Sequence, residues 1–477
     1  MSDSLGVVAT GHPEVSAAAA EVLRAGGNAF DAALAAGFAA AVAEPMFTSL
    51  GGGGFLLARS ADGQARVFDF FVDAPGRGDS MPRGESHFVP VTVRFPASEQ
   101  VFHAGLGSVA VPGTLAGFLH VHRRLARLPL AALLAPALRL ARDGVLLNAH
   151  QAYVQGLLEP IITLSAAGRA IYTPEGRGLR QGERLVNALL ADFLEELPQQ
   201  RGRDLYGGEL AHAVARDMRA GQGLLTQADL AGYAVVEREP LACRYRGHGL
   251  LMNPQPSLGG PLIARTLSLL ESRELGSRGS PQHLCALAAV MAEVERLRVP
   301  PAAGGTTHVS VCDAAGNAAS LSLSNGEGSG YLVPGTGIML NNMLGEDDLQ
   351  GFHASPGERV GSMMSPTLVL AEDRVRLVLG SGGSKRIRSA IVQVLGGVLD
   401  FGAGLREAVE APRIHWDGEV LQAEPGLASE ALAALGHEWP LNTWDERNLY
   451  FGGVHAVDPG GEGAGDPRRE GHCEVVD

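Results

Sequence analysis

The sequence predicts a layered α+β fold, in which paired strands pack against helices. Helical segments are gathered in the first two-thirds of the 477 residues, and from Thr306 onward polar and apolar residues alternate with the period of a strand. Glycine contributes 64 residues while aromatic residues are only 5%, so Ala, Leu and Val are expected to pack closely, with backbones meeting at glycines. Helices followed by paired strands favour this class over a doubly wound α/β fold.

The first elements are predicted as a strand followed by two helices. An apolar run over 6–9 is typical of a strand, and the composition over 16–25 predicts a helix that ends at two glycines. Asn28 is placed to cap a second helix over 30–43, which ends before a Glu-Pro pair. Asp31 lies among the alanines of that helix, where we expect it to cap or pair within the fold.

Strands and helices alternate less regularly further along the chain. A run of four glycines precedes an apolar strand over 55–58. A second strand is predicted over 109–113, and it turns into a long helical region over 115–142 that Gly144 closes. The region 150–300 is predicted to be mostly helical, with short connections.

Composition excludes several classes of protein. The chain has 38 Lys and Arg against 52 Asp and Glu, a net charge of −14, whereas nucleic-acid and anionic-membrane partners need dense positive charge. No apolar run reaches the roughly 20 residues of a membrane span, and no basic-then-apolar leader is present. Four cysteines without paired spacing, and no HExxH or GxSxG pattern, argue against a disulfide framework, a zinc site and an α/β-hydrolase serine. We therefore expect a cytoplasmic enzyme or binding protein without a metal, a nucleic-acid partner or a membrane partner.

A hairpin is predicted where the composition changes. Two alternating runs flank the turn over 313–317, and Gly316 lies where a three-residue hairpin loop needs a left-handed residue. This register places Thr306 directly opposite Ser324, with the two hydroxyls within reach across the ladder. Both could be ordinary strand hydroxyls. Cleavage before Thr306 would instead give that threonine its own base, because a free α-amine has a pKa of about 7.7–8.0.

A second candidate feature is the glycine-rich turn over 380–384. It connects a predicted strand over 376–379 with a predicted helix over 387–399. Residues without side chains there can direct backbone N–H groups at a developing negative charge, although a plain strand-to-helix turn has the same composition. A nucleotide-binding loop is excluded, since Lys385 follows a serine instead of the glycine that a Walker A sequence requires.

A histidine–cysteine pair and a charged segment near the end of the chain are two further candidate features. His308 and Cys312 share one face of the predicted strand, so a Cys–His dyad is conceivable, but a buried cysteine that acts as a small hydrophobe is the favoured interpretation. The charged segment over 466–470 is interpreted as a loop that is either structural or solvated.

Together these segments resemble the γ-glutamyltransferase (γ-glutamyl transpeptidase) family of N-terminal-nucleophile hydrolases over nearly the whole chain. The family's motifs are matched, in order, at 26–33, 51–55, 111–118, 140–144, 306–311, 341–342, 364–367, 380–384 and 466–469. The resemblance implies a four-layer αββα sandwich, in which two antiparallel sheets stack between helical layers. It also implies one domain over 1–477 and no organic cofactor or metal.

The resemblance assigns catalytic roles to several residues. Family members cut themselves before the first threonine of their Thr-Thr-His motif, which implies cleavage between Gly305 and Thr306 into associated fragments 1–305 and 306–477. Thr306 would then be the nucleophile, and Ser324 matches a threonine that steadies it. The paired glycines of the family's oxyanion site correspond to Gly382 and Gly383.

Substrate-binding positions follow the family only in part. Asn325 matches a substrate-contacting asparagine if a gap of one residue is allowed, and Ser362 matches one of two paired serines. Glu346 aligns with the carboxylate that binds the substrate amine.

Three polar contacts of the family are replaced by apolar residues. Phe71 replaces the arginine that binds the glutamyl carboxylate, Met343 replaces a glutamine and Met363 replaces the second of the paired serines. An apolar pocket does not bind a desolvated carboxylate without a paired charge. We therefore expect that the catalytic machinery is retained while the acyl specificity has moved away from γ-glutamyl.

The resulting hypothesis is a γ-glutamyltransferase-like amidohydrolase or acyltransferase. It would act through a threonyl acyl-enzyme on a small-molecule amide or γ-glutamyl-like substrate. A glutaryl- or cephalosporin-type acylase of the same fold is the first alternative. The second is an uncleaved homologue that binds small molecules without turnover.

Overall fold

A computed structural model of the chain describes residues 4–78, 86–95, 98–200, 203–296, 305–345 and 355–477. Glu346, aligned above with an amine-binding carboxylate, lies outside the described residues.

The strands are numbered in chain order: β1 (Gly6–Thr10), β2 (Gly53–Arg59), β3 (Ala65–Phe70), β4 (Val89–Phe95), β5 (Ser98–Ala104), β6 (Val145–Leu146), β7 (Arg184–Leu185), β8 (Val236–Arg238), β9 (Leu241–Tyr245), β10 (His248–Met252), β11 (Thr306–Asp313), β12 (Ala318–Ser324), β13 (Thr367–Ala371), β14 (Arg374–Gly382), β15 (Ile414–Trp416), β16 (Leu421–Ala423), β17 (Leu441–Thr443), β18 (Gly453–Val457), β19 (Gly463–Ala464) and β20 (His472–Val476).

The helices are α1 (Pro13–Arg24), α2 (Ala29–Ala43), α3 (Thr114–Leu125), α4 (Leu130–Asp143), α5 (Ala149–Ile162), α6 (Ala166–Tyr172), α7 (Ala188–Gln200), α8 (Arg203–Gly207), α9 (Glu209–Ala220), α10 (Gln227–Ala231), α11 (Gly259–Glu271), α12 (Pro281–Arg296), α13 (Arg386–Leu399), α14 (Leu405–Glu410) and α15 (Ser429–Glu438). Among the described residues, none of these helices is both long enough and apolar enough to cross a membrane.

Two antiparallel sheets hold most of the strands. The first sheet has the order β20-β1-β11-β12-β2-β3-β8, and the second has the order β19-β18-β14-β13-β10-β9. Side chains of the first sheet reach backbone atoms of the second: Ser310 Oγ donates to the His455 carbonyl at 2.9 Å, and Ser320 Oγ donates to the Leu379 carbonyl at 3.0 Å. The two sheets therefore pack face to face, with β11 and β12 against β14 and β18.

Helices pack on both sheets. The alanine-rich α2 is buried along its whole length and packs with Val309 and Val311 of β11 in one apolar cluster. Residues of α11, α12 and α13 join the second sheet in another cluster. The structure therefore confirms a mixed helix and antiparallel-sheet fold.

The predicted hairpin is confirmed. Strand β11 pairs with β12 in a register that places Thr306 opposite Ser324, and Gly316 has a φ of +91° in the turn. The predicted cap of α2 is confirmed as well, since Asn28 accepts from the Asp31 N–H while Asp31 accepts from the Asn28 N–H.

One middle element was predicted wrongly. Residues 109–113 form no strand, because Ala110 bonds to the side-chain amide of Asn341 and Val111 pairs only with Asp73, in an isolated antiparallel bridge. The helical region over 115–142 is two helices, since the backbone N–H groups of Arg127 and Leu128 turn out of the helix to donate to the Asp31 carboxylate. The mostly helical region also contains β8, β9 and β10, which the sequence analysis missed.

Candidate active site

The hairpin positions the two hydroxyl residues at the start of β11. Thr306 and Ser324 are each 3% exposed. Ser324 Oγ donates to the carbonyl oxygen of Gly305 at 2.5 Å and accepts from the Gly326 N–H at 3.1 Å. A buried hydroxyl therefore polarises the carbonyl of the peptide bond that precedes Thr306, the bond that a Thr306 nucleophile would attack.

The end of β14 lies against Thr306. A Cβ on Gly382 would lie 2.1 Å from the Thr306 carbonyl oxygen, so only glycine allows this approach. The next residues, Gly383 and Ser384, have φ angles of +116° and +56° before α13 begins. The end of β14 is therefore placed beside the candidate nucleophile, as an oxyanion site built on Gly382 and Gly383 would require.

Arg469 contacts the backbone of β11 at Thr306, which the sequence analysis did not predict. Its Nη1 donates to the Thr306 carbonyl at 3.0 Å, and its side chain is 5% exposed. The guanidinium lies 4.8 Å from the centre of the Phe47 ring and fits beside Gly453, where a Cβ would lie 2.2 Å from Arg469 Cδ. Burial lowers the pKa of Arg469 to about 10, against the opposing charge of Glu44.

Glu44, at the end of α2, is the second residue that sequence reasoning missed. Thr307 Oγ1 donates to Oε1 at 3.0 Å and lies 3.1 Å from Oε2. Burial raises the pKa of Glu44 to about 7, although the Thr307 hydroxyl and the charge of Arg469 act in the opposite direction. A carboxyl group whose pKa is raised to about 7 therefore contacts Thr307, the residue that follows Thr306 on β11.

A cavity of about 60 Å³ adjoins Gly305 and Gly383. Its charged lining residues are Glu327, Arg386 and Arg469, and most of the remaining lining is apolar. Its position next to the peptide bond before Thr306 makes it the candidate binding space for a substrate.

Asn325 follows Ser324 at the end of β12. Its side chain is 1% exposed, yet neither the amide oxygen nor the amide nitrogen has a hydrogen-bond partner in the part of the chain that the structure describes. Buried polar groups are usually paired, so this amide has unused capacity to bind a ligand.

The three apolar replacements share one apolar cluster but do not line the cavity. Phe71, Met343 and Met363 are 3%, 2% and 7% exposed and belong to the core that includes the second sheet. Phe71 stacks on Phe55 with ring centres 5.4 Å apart. Ser362 is occupied locally, because its Oγ accepts from the Met364 N–H at 3.1 Å.

His308 and Cys312 serve the fold. The ring nitrogens of His308 lie 2.8 Å and 3.0 Å from the hydroxyl oxygens of Ser322 and Ser310, and burial lowers its pKa well below the usual value. Cys312 packs in the apolar core, where burial raises the pKa of its thiol.

The segment over 466–470 is structural and mostly buried, not solvated. Asp466 pairs with Arg413 at 2.6 Å and with Arg468 at 3.1 Å, and all three side chains are at most 2% exposed.

Comparison with solved structures defines the class of fold. The chain superposes on a cephalosporin acylase from Bacillus halodurans with a TM-score of 0.84, covering 99% of this chain and 96% of that chain. At 24% identity, this likeness describes the fold alone. The gamma-glutamyltranspeptidase of Helicobacter pylori matches with a TM-score of 0.53 at 26% identity, over 62% of this chain and 84% of that chain.

Sequence comparison then shows the family. The gamma-glutamyltranspeptidase family model matches residues 15–299 and 289–476, so the chain belongs to the gamma-glutamyltranspeptidase family and is an enzyme of this kind. The acylase ACY 1 proenzyme of Pseudomonas sp. (strain SE83) is 35% identical over 92% of this chain and 88% of its own length. The glutathione hydrolase proenzyme of Escherichia coli (strain K12) is 30% identical, over 97% and 90% respectively. The family predicted from the motifs is confirmed.

Proposed function

We propose that this protein is a self-processing threonine amidohydrolase that cuts the peptide bond between Gly305 and Thr306. Thr306 then acts on small-molecule amides through an acyl-enzyme. The hydrogen bond from Ser324 Oγ to the Gly305 carbonyl carries this proposal, because it joins the candidate cleavage bond to the hydroxyl opposite the candidate nucleophile.

Self-cleavage needs no other reactant than water. Thr306 Oγ attacks the Gly305 carbonyl carbon, the C–N bond breaks, and the hydroxyl proton moves to the departing nitrogen. The product is an ester between Gly305 and Thr306 Oγ. Water then hydrolyses this ester, which leaves a carboxyl group on Gly305 and restores the Thr306 hydroxyl beside a free α-amine.

Substrate turnover forms and breaks the same kinds of bond as self-cleavage. The α-amine takes the proton of Thr306 Oγ as the oxygen attacks the amide carbonyl, and the leaving amine receives that proton when its C–N bond breaks. Water, or an acceptor amine in a transfer reaction, then resolves the acyl-enzyme. Gly382 and Gly383 supply the backbone environment of the oxyanion, and Ser324 holds the nucleophile.

Substrate binding completes the assignment. Asn325 contacts the substrate through its unpaired amide, and Glu346 is assigned to a substrate or acceptor amine. Phe71, Met343 and Met363 lack the polar groups with which the family binds the glutamyl moiety, so acyl groups other than γ-glutamyl are preferred.

We also propose how the layers of the fold are arranged. The two sheets and the helices on their outer faces make a four-layer αββα sandwich. Fragments 1–305 and 306–477 form this single domain together, because β11 lies between β1 and β12 in the first sheet.

A second candidate function is a glutaryl- or cephalosporin-type acylase. It is favoured by the 35% identity to the acylase ACY 1 proenzyme, against 30% for the glutathione hydrolase proenzyme of E. coli.

A denaturing gel and a substrate panel test the proposal together. We expect two bands, which correspond to 1–305 and 306–477, and faster release of nitroaniline from glutaryl- or alkanoyl-p-nitroanilide than from γ-glutamyl-p-nitroanilide. A single full-length band without turnover contradicts the proposal. Equal or faster γ-glutamyl turnover contradicts the shift in acyl specificity.

A further inference from the structure

We propose that Arg469 is a positioning residue for the nucleophile: it fixes the backbone of Thr306 and keeps the α-amine of the cleaved chain in the neutral form that accepts a proton. This inference rests on the proposed function, because Thr306 has an α-amine only after the bond to Gly305 is cut.

Close contacts hold the Arg469 side chain against Thr306. Its Nη1 donates to the Thr306 carbonyl oxygen at 3.0 Å, and the guanidinium lies 4.8 Å from the centre of the Phe47 ring. A Cβ on Gly453 would lie 2.2 Å from Arg469 Cδ, and a Cβ on Gly382 would lie 3.0 Å from Cζ. The glycines at the end of β14 and the start of β18 therefore leave the space in which the guanidinium reaches the nucleophile.

The charge of Arg469 has no direct counter-ion. In the described part of the chain its side chain forms no ion pair, and its buried Nε has no hydrogen-bond partner. The neighbouring Arg468 is different, because it pairs with Glu424 and Asp466. Burial lowers the pKa of Arg469 to about 10, so the guanidinium still carries its charge at neutral pH. A buried charge without a paired charge is costly, which indicates a role beyond holding the fold.

The atom that becomes the α-amine is close to this charge. The nitrogen and the carbonyl oxygen of one residue are at most about 3.6 Å apart, so Arg469 Nη1 lies within roughly 7 Å of the Thr306 nitrogen. Two positive charges at this separation repel each other, and at an effective dielectric constant of about 20 the pKa of the amine falls by about one to two units. An unperturbed α-amine has a pKa of about 7.7–8.0. We therefore expect the Thr306 amine to be mostly neutral at pH 7, where it acts as the general base.

The histidines around this end of the site add no charge at neutral pH. Burial lowers the pKa of each of them: to about 4 for His12, to about 3 for His150 and His455, and well below the usual value for His308. The charge of Arg469 also lowers the pKa of His150 and of His455. This is the direction that we expect for the amine of the nucleophile.

The carboxylates nearby do not cancel the charge of Arg469 below neutral pH. Glu44 is mostly neutral there, because burial raises its pKa to about 7. Asp466 is already paired with two other arginines. Glu327 and Arg386 line the cavity beside Arg469 and have opposite signs. The positive charge of Arg469 therefore dominates at the nucleophile.

Isotope labelling of the amines tests this inference without turnover. Lys385 is the only lysine, so reductive methylation with isotope-labelled formaldehyde marks three groups in the cleaved protein: the amino terminus of the chain, the Thr306 α-amine and Lys385. The Thr306 signal is identified by its absence from the uncut Thr306→Ala chain. Titration followed by NMR should give the Thr306 amine a pKa at least about one unit below that of the amino-terminal α-amine.

Removal of the charge is the second test. In Arg469→Gln the pKa of the Thr306 amine should rise by about one unit. The acidic limb of kcat/KM for glutaryl-p-nitroanilide should move with it, so that activity at pH 6 falls about tenfold relative to activity at pH 9. Arg469→Lys retains a positive charge and should retain the low pKa.

Arg447→Gln is the matched control for the loss of charge. Arg447 is an exposed arginine that also donates to a backbone carbonyl, that of Glu410 at 3.2 Å. The control should leave both the titration of the Thr306 amine and the pH profile of kcat/KM unchanged.

The results separate this inference from the proposed function. A Thr306 amine that titrates together with the amino-terminal amine in the wild-type protein refutes the inference and leaves the proposed function intact, even if Arg469→Gln does not fold. A loss of activity in Arg469→Gln that is equal at every pH has the same meaning, because a purely structural role gives that result. An uncut chain in the wild-type protein contradicts the proposed function, and the inference falls with it.

Discussion

The two faces of β11 differ in polarity. On the face towards α2, Val309 and Val311 pack into the apolar cluster of that helix. On the face towards the second sheet, His308 and Ser310 form a buried hydrogen-bonded network that reaches His455. Thr306 belongs to this polar face, next to the glycine turn of β14.

Thr307 is the exception on the helix face. It has the same hydroxyl as Thr306 and is equally buried, but it donates to the carboxylate of Glu44. Two adjacent threonines are thus placed in different environments by the alternation of a strand. The face of the strand, more than the residue type, therefore separates a candidate nucleophile from a structural hydroxyl.

The largest effect is expected from removing the Thr306 hydroxyl, and removal of the Thr307 hydroxyl is the comparison. Thr306→Ala should abolish fragment formation and lower hydrolysis by at least ~10⁴-fold, because no other group supplies the nucleophile. Thr307→Ala should cost less than about tenfold in hydrolysis. A denaturing gel and p-nitroanilide turnover measure both variants. If Thr306→Ala is still cut at the same bond, the two faces do not differ in the proposed way.

The glycine turn gives the next largest effect. Gly382→Ala places a Cβ against the Thr306 carbonyl, so hydrolysis should fall by about 10²–10³-fold. Gly156→Ala is the control, since a Cβ at this exposed position of α5 meets no atom within 4 Å in the described part of the chain. We expect the control to keep its activity. Equal kcat/KM for the two variants would mean that the close approach at Gly382 is unimportant for the reaction.

Ser324 is expected to have a smaller effect. Ser324→Ala removes the donor to the Gly305 carbonyl and should slow self-cleavage by about 10- to 100-fold. Ser324→Thr keeps the hydroxyl and should restore most of the rate. The time course of fragment formation after synthesis measures both variants, and an unchanged rate in the alanine variant would remove Ser324 from the mechanism.

The smallest effect is expected in the free energy of unfolding, through the carboxyl group of Glu44 on the side of β11 that faces α2. Because burial raises the pKa of Glu44 from its ordinary 4.5 to about 7, the folded state keeps a proton there that the unfolded state has lost. This carboxyl should therefore lower the free energy of unfolding as pH rises from about 4.5 to 7, by up to about 3 kcal/mol, with no further loss above that range.

Urea unfolding at pH 5 and pH 8 checks this sign. The uncut Thr306→Ala chain is the appropriate background, with Glu44→Gln added to remove the titration. Glu14→Gln, at an exposed position in the first turn of α1, is the matched control. A pH dependence that Glu44→Gln leaves unchanged would contradict the assignment.

The hairpin could be predicted from the sequence because its determinants are local. Alternation fixes which residues share a face, and Gly316 fixes the centre of the turn, so the pairing of Thr306 with Ser324 follows from spacing. The cap of α2 was predicted for the same reason, since Asn28 and Asp31 are three residues apart.

The surroundings of Thr306 could not be predicted in this way. Glu44 and Arg469 are far from β11 in the sequence. They contact Thr307 and Thr306 only because the end of α2 and the carboxyl-terminal segment both pack against this strand. The wrongly predicted strand over 109–113 has a similar cause, because the side chain of Asn341 occupies the backbone groups of Ala110. Contacts between distant segments leave no periodic pattern in the sequence.

Amino-terminal sequencing and intact mass of the purified, active protein test the central claim most directly. The account predicts a fragment that begins with Thr306 and ends at Asp477, whose appearance over time parallels the gain of amide hydrolysis. Active protein in which Thr306 still follows Gly305 in one uncut chain, or a fragment that begins at another residue, would contradict it.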